Sequence, residues 1–169
     1  NVQHIVTVLN GNPTDRAVVD GFTIRNGSTS FVTTDPDLSQ RGAGILVQAK
    51  LTVRNCVFRQ NSGISGACIS AINAPATGLE VYNCTFDNNF ATSQSAGIYL
   101  RVSNGASIRK CTFSNNNTNR GCIYPQSSTN VLVDSCIFEN NTAIPGTFAA
   151  GMFTWQTHFL LKRSIFRNN

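Results

Sequence analysis

Charge is scarce in this chain: only 12% of its 169 residues are Asp, Glu, Lys or Arg. The 13 Lys and Arg outnumber the 8 Asp and Glu, giving a formal net charge of +5, but they are scattered with no dense basic run. A nucleic-acid partner is therefore not expected, since that needs a basic patch or stripe interleaved with reading groups. No apolar stretch reaches the roughly 18 residues a membrane-crossing helix requires, and the amino terminus lacks the basic-then-apolar pattern of a secretion leader. With two His and no paired CxxC, a zinc site has no obvious ligand set. Helix formers arranged at a 3.6-residue period are also missing, which leaves strands and turns.

What is abundant is Asn, Ser, Thr and Gly, set around short apolar runs that recur. The stretch Leu51 to Asn61 (LTVRNCVFRQN) returns as LEVYNCTFDNN from Leu79, ASIRKCTFSNN from Ala106, VLVDSCIFENN from Val131 and FLLKRSIFRNN from Phe159. A weaker copy, VDGFTIRNG, starts at Val19. The Phe positions 58, 86, 113, 138 and 166 are separated by 28, 27, 25 and 28 residues. A second mark ends in an apolar residue: GAGI at Ile45, GACI at Ile69, SAGI at Ile98, RGCI at Ile123 and AAGM at Met152. Two marks keeping one period indicate a repeat architecture in which each unit is stabilised by its neighbours.

Within LTVRNCVFRQN, Leu51 and Val53 alternate with Thr52 and Arg54, as on a half-buried strand. The alternation breaks at Asn55 and resumes with Cys56 and Phe58 facing inward. A bend at Asn55 in the left-handed region accounts for this, with equivalents at Gly21, Asn83, Lys110, Ser135 and Arg163. Three short strands per turn, without helices, predict an all-β, right-handed parallel β-helix of about six coils over residues 1–169. The leucine-rich repeat shares the period, but needs more Leu at fixed offsets and helix formers between strands.

Coils about 4.8 Å apart would stack equivalent residues into ladders. Cys56, Cys84, Cys111 and Cys136 form one column, read as buried thiols because parallel stacked side chains do not readily adopt disulfide torsions. Cys68 and Cys122 share another column two coils apart. Asn61, Asn89, Asn116, Asn141 and Asn169 end the third strand of each repeat, where their amides can bond to neighbouring coils. Asn26, Asn83, Asn116 and Asn140 also begin N-x-S/T sequons. Outward charges would pair between coils: Asp20 with Arg54, Arg109 with Asp134, Asp134 with Lys162, Arg59 with Asp87 and Glu139 with Arg167.

The chemistry-bearing residues are few. Asp35 and Asp37 stand two apart in the segment TTDPDLSQ and are a thin calcium candidate, since calcium prefers six to eight oxygens. No paired carboxylates suited to glycoside hydrolysis and no Ser/His/Asp set can be argued, so no catalytic residue and no cofactor is assigned. If the Ile column points inward, Tyr99, Tyr124, Phe153 and Trp155 form an outward aromatic strip flanked by Arg101 and Gln126. Rings beside polar groups suit a glycan or protein partner. Reversed parity or covering loops would instead bury them.

The marks GAGI, GACI and SAGI, with FRQN, FDNN, FSNN, FENN and FRNN, resemble repeats of the pectate-lyase-like β-helix superfamily. They are similar to the GGA-plus-aliphatic and FxxN repeats of chlamydial polymorphic outer membrane proteins and related bacterial surface adhesins. The resemblance covers about residues 18–169; Ser95, Arg120 and Ala149 depart from the usual Gly, and no autotransporter barrel is present. It implies a passenger or stalk segment of a secreted adhesin, so the expected role is a non-catalytic extracellular or cell-surface repeat domain, adhesive or structural, with signal and anchor elsewhere. Its expected partner is a host or neighbour-cell surface protein or glycan. A carbohydrate-active or glycan-binding β-helix, lyase- or hydrolase-like, is the alternative.

Overall fold

A computed structural model describes residues 4–9, 14–29 and 41–169. Each full coil contributes one strand to each of four parallel sheets, so the chain winds as a parallel β-solenoid. The first sheet stacks Val6–Val8, Ile45–Val47, Ile69–Ile72, Ile98–Arg101 and Ile123–Gln126. The second holds Arg16–Asp20, Lys50–Arg54, Leu79–Tyr82, Ser107–Arg109, Val131–Asp134 and Phe159–Lys162. The third holds Thr23–Arg25, Val57–Arg59, Thr85–Asp87, Thr112–Ser114, Ile137–Glu139 and Ile165–Arg167.

The fourth sheet is an addition to the expected three strands per turn. Its members are only two residues long: Ser62–Gly63, Phe90–Ala91, Asn117–Thr118 and Thr142–Ala143. They form because the Asn that ends the third strand holds adjacent backbones in register, so the next residues pair before the chain leaves for a loop. Phe90 N–H, for example, donates to the carbonyl of Asn61 at 2.9 Å. Four coils carry all four strands and a partial coil lies at either end, so the stack is six deep only in the second and third sheets.

The corners are where local sequence shows most directly. Gly21, Asn55, Asn83, Lys110, Ser135 and Arg163 all have positive φ, between 45° and 78°. Every side chain but Gly carries strain there, yet the bend recurs because it lets Val53 and Phe58 both face the core. A second left-handed column, Gln60, Asn88, Asn115, Asn140 and Asn168, turns the chain after the third strand.

Inside, stacking is nearly exact repetition of one contact. Phe58, Phe86, Phe113, Phe138 and Phe166 lie face to face, with centroids 4.4–4.9 Å apart and planes within 6°. Beside them, Asn89 donates from Nδ2 to the carbonyl of Phe58 and to Oδ1 of Asn116, while its backbone N–H donates to the same Oδ1. The same pattern joins Asn61, Asn116, Asn141 and Asn169. All six Cys are free and buried. Burial pushes the thiols of Cys56, Cys68, Cys111 and Cys122 up, which keeps them protonated and inert. The left-handed backbone of Gly66 and Gly121 bends the lead-in so that Cys68 and Cys122 enter the core ahead of the following Ile. Phe22, which shares the Cys56 column in sequence, is instead 61% exposed.

Two of the expected charge pairs form: Arg54 with Asp20 at 2.9 Å, and Arg167 with Glu139. Asp134 takes Arg163 rather than Lys162, because the left-handed bend at Arg163 turns its planar guanidinium onto both carboxylate oxygens, the fork geometry a Lys cannot offer. Those hydrogen bonds hold the Asp134 carboxyl below its ordinary range, with a smaller electrostatic contribution from Arg109. Asp87 accepts from Ser114 and Asn115 on the next coil.

Candidate functional site

The first sheet separates two columns by strand alternation. Ile45, Ile69, Ile98 and Ile123 belong to the central core, with Val47, Ala71 and Leu100 two residues on. Leu46, Ser70, Tyr99 and Tyr124 point to the other side of the sheet. They are nonetheless nearly inaccessible: Tyr99 and Tyr124 are each 2% exposed. Outer-face side chains cover them. The Arg41 guanidinium lies 5.2 Å from the centroid of Tyr99, and Arg120 lies 5.5 Å from that of Tyr124. Arg120 is also 5.1 Å from the ring of Phe148, so its cation is held between two aromatic faces.

Further along the column the cover thins. Tyr124 and Phe153 have centroids 5.3 Å apart, and Phe153 and Phe148 4.9 Å, both tilted. Phe148 is 61% exposed and Trp155 54%. Arg120, Tyr124, Gln126, Phe148, Phe153 and Trp155 line an open groove of about 350 Å³. Of the six residues singled out in the sequence, Tyr124, Gln126, Phe153 and Trp155 thus share one site. Tyr99 and Arg101 sit one coil behind, in register with Tyr124 and Gln126. The Tyr99 hydroxyl donates to Oε1 of Gln126 and so fixes that amide. Burial raises the pKa of both Tyr99 and Tyr124, opposed by Arg41 and Arg101 at Tyr99 and by Arg120 at Tyr124, so neutral phenols stand in the site.

The groove opens for a backbone reason. In the ladder joining residues 123–127 to the next coil, Phe153 N–H donates to Ile123, Trp155 N–H to Pro125, and Ser127 N–H to Trp155. The residue between, Pro125, has no N–H to offer the carbonyl of Phe153. Segment 152–155 therefore joins by single bridges, Ile123 to Met152 and Gln126 to Trp155, rather than as a continuous strand.

Arg120 and Phe148 escaped the sequence reading. Arg120 replaces the Gly that usually leads this repeat, a departure that could have signalled it. Phe148 lies in a loop without periodicity and gave no sign. Asp35 and Asp37 lie outside the described residues. Among those described, no three His, Cys, Asp or Glu side chains cluster as a metal site.

A second groove, about 460 Å³, runs over the second sheet and includes Arg54, Glu80, Tyr82, Ser107 and Arg109. Its polar groups already serve the stack. Glu80 pairs with Arg16 at 3.4 Å and accepts from Thr52, while Lys110 donates to the Tyr82 hydroxyl. Glu80 is its single carboxylate, one short of the pair that hydrolysis of a glycosidic bond requires.

Residues 67–169 match the model of the right-handed β-helix region. The chain belongs to that family. It is also 27% identical over 135 residues to a metabotropic glutamate receptor-like protein R of Dictyostelium discoideum, an alignment covering 77% of this chain but 8% of that protein. No solved structure matches it. The matched stretch spans less than a tenth of that relative's length. No helix among the described residues is long and apolar enough to cross a membrane.

Proposed function

We propose that this β-helix is a non-catalytic extracellular or cell-surface domain that adheres to glycans through the groove beside Tyr124. The observation that carries the reading is Trp155, more than half exposed in a groove whose other exposed ring, Phe148, is already held against Phe153 and Arg120. A flat ring standing free beside fixed polar groups suits the apolar face of a sugar, with Gln126 and the rim of Arg120 reading its hydroxyls. The groove volume lies at the lower end of the range for small-molecule sites, enough for one or two sugar rings. The receptor-like name of the Dictyostelium relative supports a surface setting.

The test is binding of the purified β-helix to an array of neutral and acidic glycans, alongside Trp155→Ala. Retention of a glycan class, weakened at least tenfold in the variant, is expected. Absence of binding across the array, or equal binding by Trp155→Ala, overturns the assignment to this groove. New reducing ends or unsaturated sugars on incubation would replace adhesion with catalysis.

A further inference from the structure

Four Asn residues open N-x-S/T sequons, and the fold treats them unequally. Asn116 is fully buried, and its Nδ2 donates to the Phe86 carbonyl at 2.9 Å and to Asn141 Oδ1 at 3.0 Å. Both amide hydrogens are thereby used. Its partner hydroxyl, Thr118, is buried too and donates to the Gly121 carbonyl at 2.8 Å, with the Gln94 carbonyl of the neighbouring coil at 3.1 Å. Asn26, Asn83 and Asn140 are different: each is exposed, and each occupies a left-handed corner, with φ of 61°, 52° and 54°. A corner throws the side chain outward, so the bonds Asn83 and Asn140 make are to exposed corner side chains of adjacent coils, Asn55 and Asn168. Ser28 and Thr142, the hydroxyl residues of two of these sequons, are exposed as well, and Thr85 is partly so.

We infer that Asn26, Asn83 and Asn140 are acceptors for N-linked glycans and that Asn116 is not. In the transfer, a bond forms between Nδ2 and the anomeric carbon of a lipid-linked oligosaccharide. The bond from that carbon to the pyrophosphate oxygen breaks, Nδ2 loses one proton, and the lipid pyrophosphate leaves. One amide hydrogen is consumed and one remains. Asn83, which donates a single bond to Asn55 Oδ1 at 2.8 Å, can carry a sugar and keep a donor. Asn116 would have to surrender a bond inside the ladder, so a chain modified there could not close its coils.

The placement has a consequence for binding. Asn83 lies at the corner between the second and third sheets, and Asn26 and Asn140 at the corner after the third. None lies on the first sheet, so the sugars flank the third sheet and leave the groove at Trp155 open. The biological setting rests on the extracellular reading above, but the acceptor geometry does not.

The test supplies the compartment itself. The whole chain is secreted from a eukaryotic cell behind a cleavable leader, and the folded product is deglycosylated enzymatically in heavy-oxygen water, which marks each former glycan site as labelled Asp. Label at two or more of Asn26, Asn83 and Asn140, and none at Asn116, supports the assignment. Label at fewer than two, or any at Asn116, overturns it. Thr142→Ala changes only an exposed side chain and must abolish any Asn140 label; persistence there also overturns the assignment. Because the leader is supplied, failure here leaves the glycan-array result untouched, and the reverse holds equally.

Discussion

Two columns run the length of the solenoid and follow different rules. Inside the third sheet, Phe58 to Phe166 repeat one residue type with planes within 6° of parallel. Outside the first sheet, Leu46, Ser70, Tyr99, Tyr124 and Phe153 change type at every step but one, and the rings that meet along it are tilted by 34° and 52°. The inner column is bounded on all sides, so a residue that fits once fits every 25 to 28 residues. The outer column is bounded by whatever each loop lays over it, which differs from coil to coil. Repetition therefore marks stability, and variation marks where a ligand can be distinguished.

That contrast can be broken most directly from the inside. Phe113→Ala removes a ring stacked on both sides and should destabilise by about 3–5 kcal/mol, read from urea unfolding. Asn116→Ala strands the backbone N–H and one side-chain amide hydrogen of Asn89, at about 1–3 kcal/mol for each buried group left unpaired, in the same measurement. If either variant unfolds like the wild type, the ladders are not what holds the coils together.

Smaller effects test the outside. Pro125→Val gives the Phe153 carbonyl its missing donor; about 0.5–1.5 kcal/mol of hydrogen bonding is gained, partly offset by a freer unfolded chain. Hydrogen exchange should show a protected amide at position 125, and glycan binding should weaken as segment 152–155 draws in. Lys110→Asn eases a left-handed bend at φ 51° and should stabilise by up to about 1 kcal/mol in thermal unfolding. Trp155→Ala should shift stability by less than about 0.5 kcal/mol while removing binding. A large loss of stability there would make Trp155 part of the scaffold and erase the distinction between the columns.

The corner residues show how far the order of residues reaches. The bend from Gly21 through Arg163 was readable because alternation fails at one position in every copy, and even Lys110 and Arg163, poor formers of that conformation, obey it. The Asn ladder was readable for the same reason. The fourth strand was not, because two residues with no shared side-chain type carry no period. Nor was Arg163 as the partner of Asp134, since columns align Lys162 with it and only the bend angle swings the guanidinium across.

The six candidate site residues divide along the same line. Strand alternation alone puts Tyr99, Arg101, Tyr124, Gln126, Phe153 and Trp155 on one outer face, and they are there. Which of them solvent can reach depends on Arg41 and Arg120 at the lead-in to the sheet, on Phe148 brought over it by a loop, and on a Pro that withholds one ladder bond.

Sequence by itself determined the solenoid, its period, its inward ladders and its left-handed corners, because each depends on contacts between equivalent positions one coil apart. Tertiary structure alone decided which aromatics are buried, where a groove opens and which sequon is sealed inside. Those depend on segments far apart in the repeat meeting over one surface, and no spacing along the chain records that.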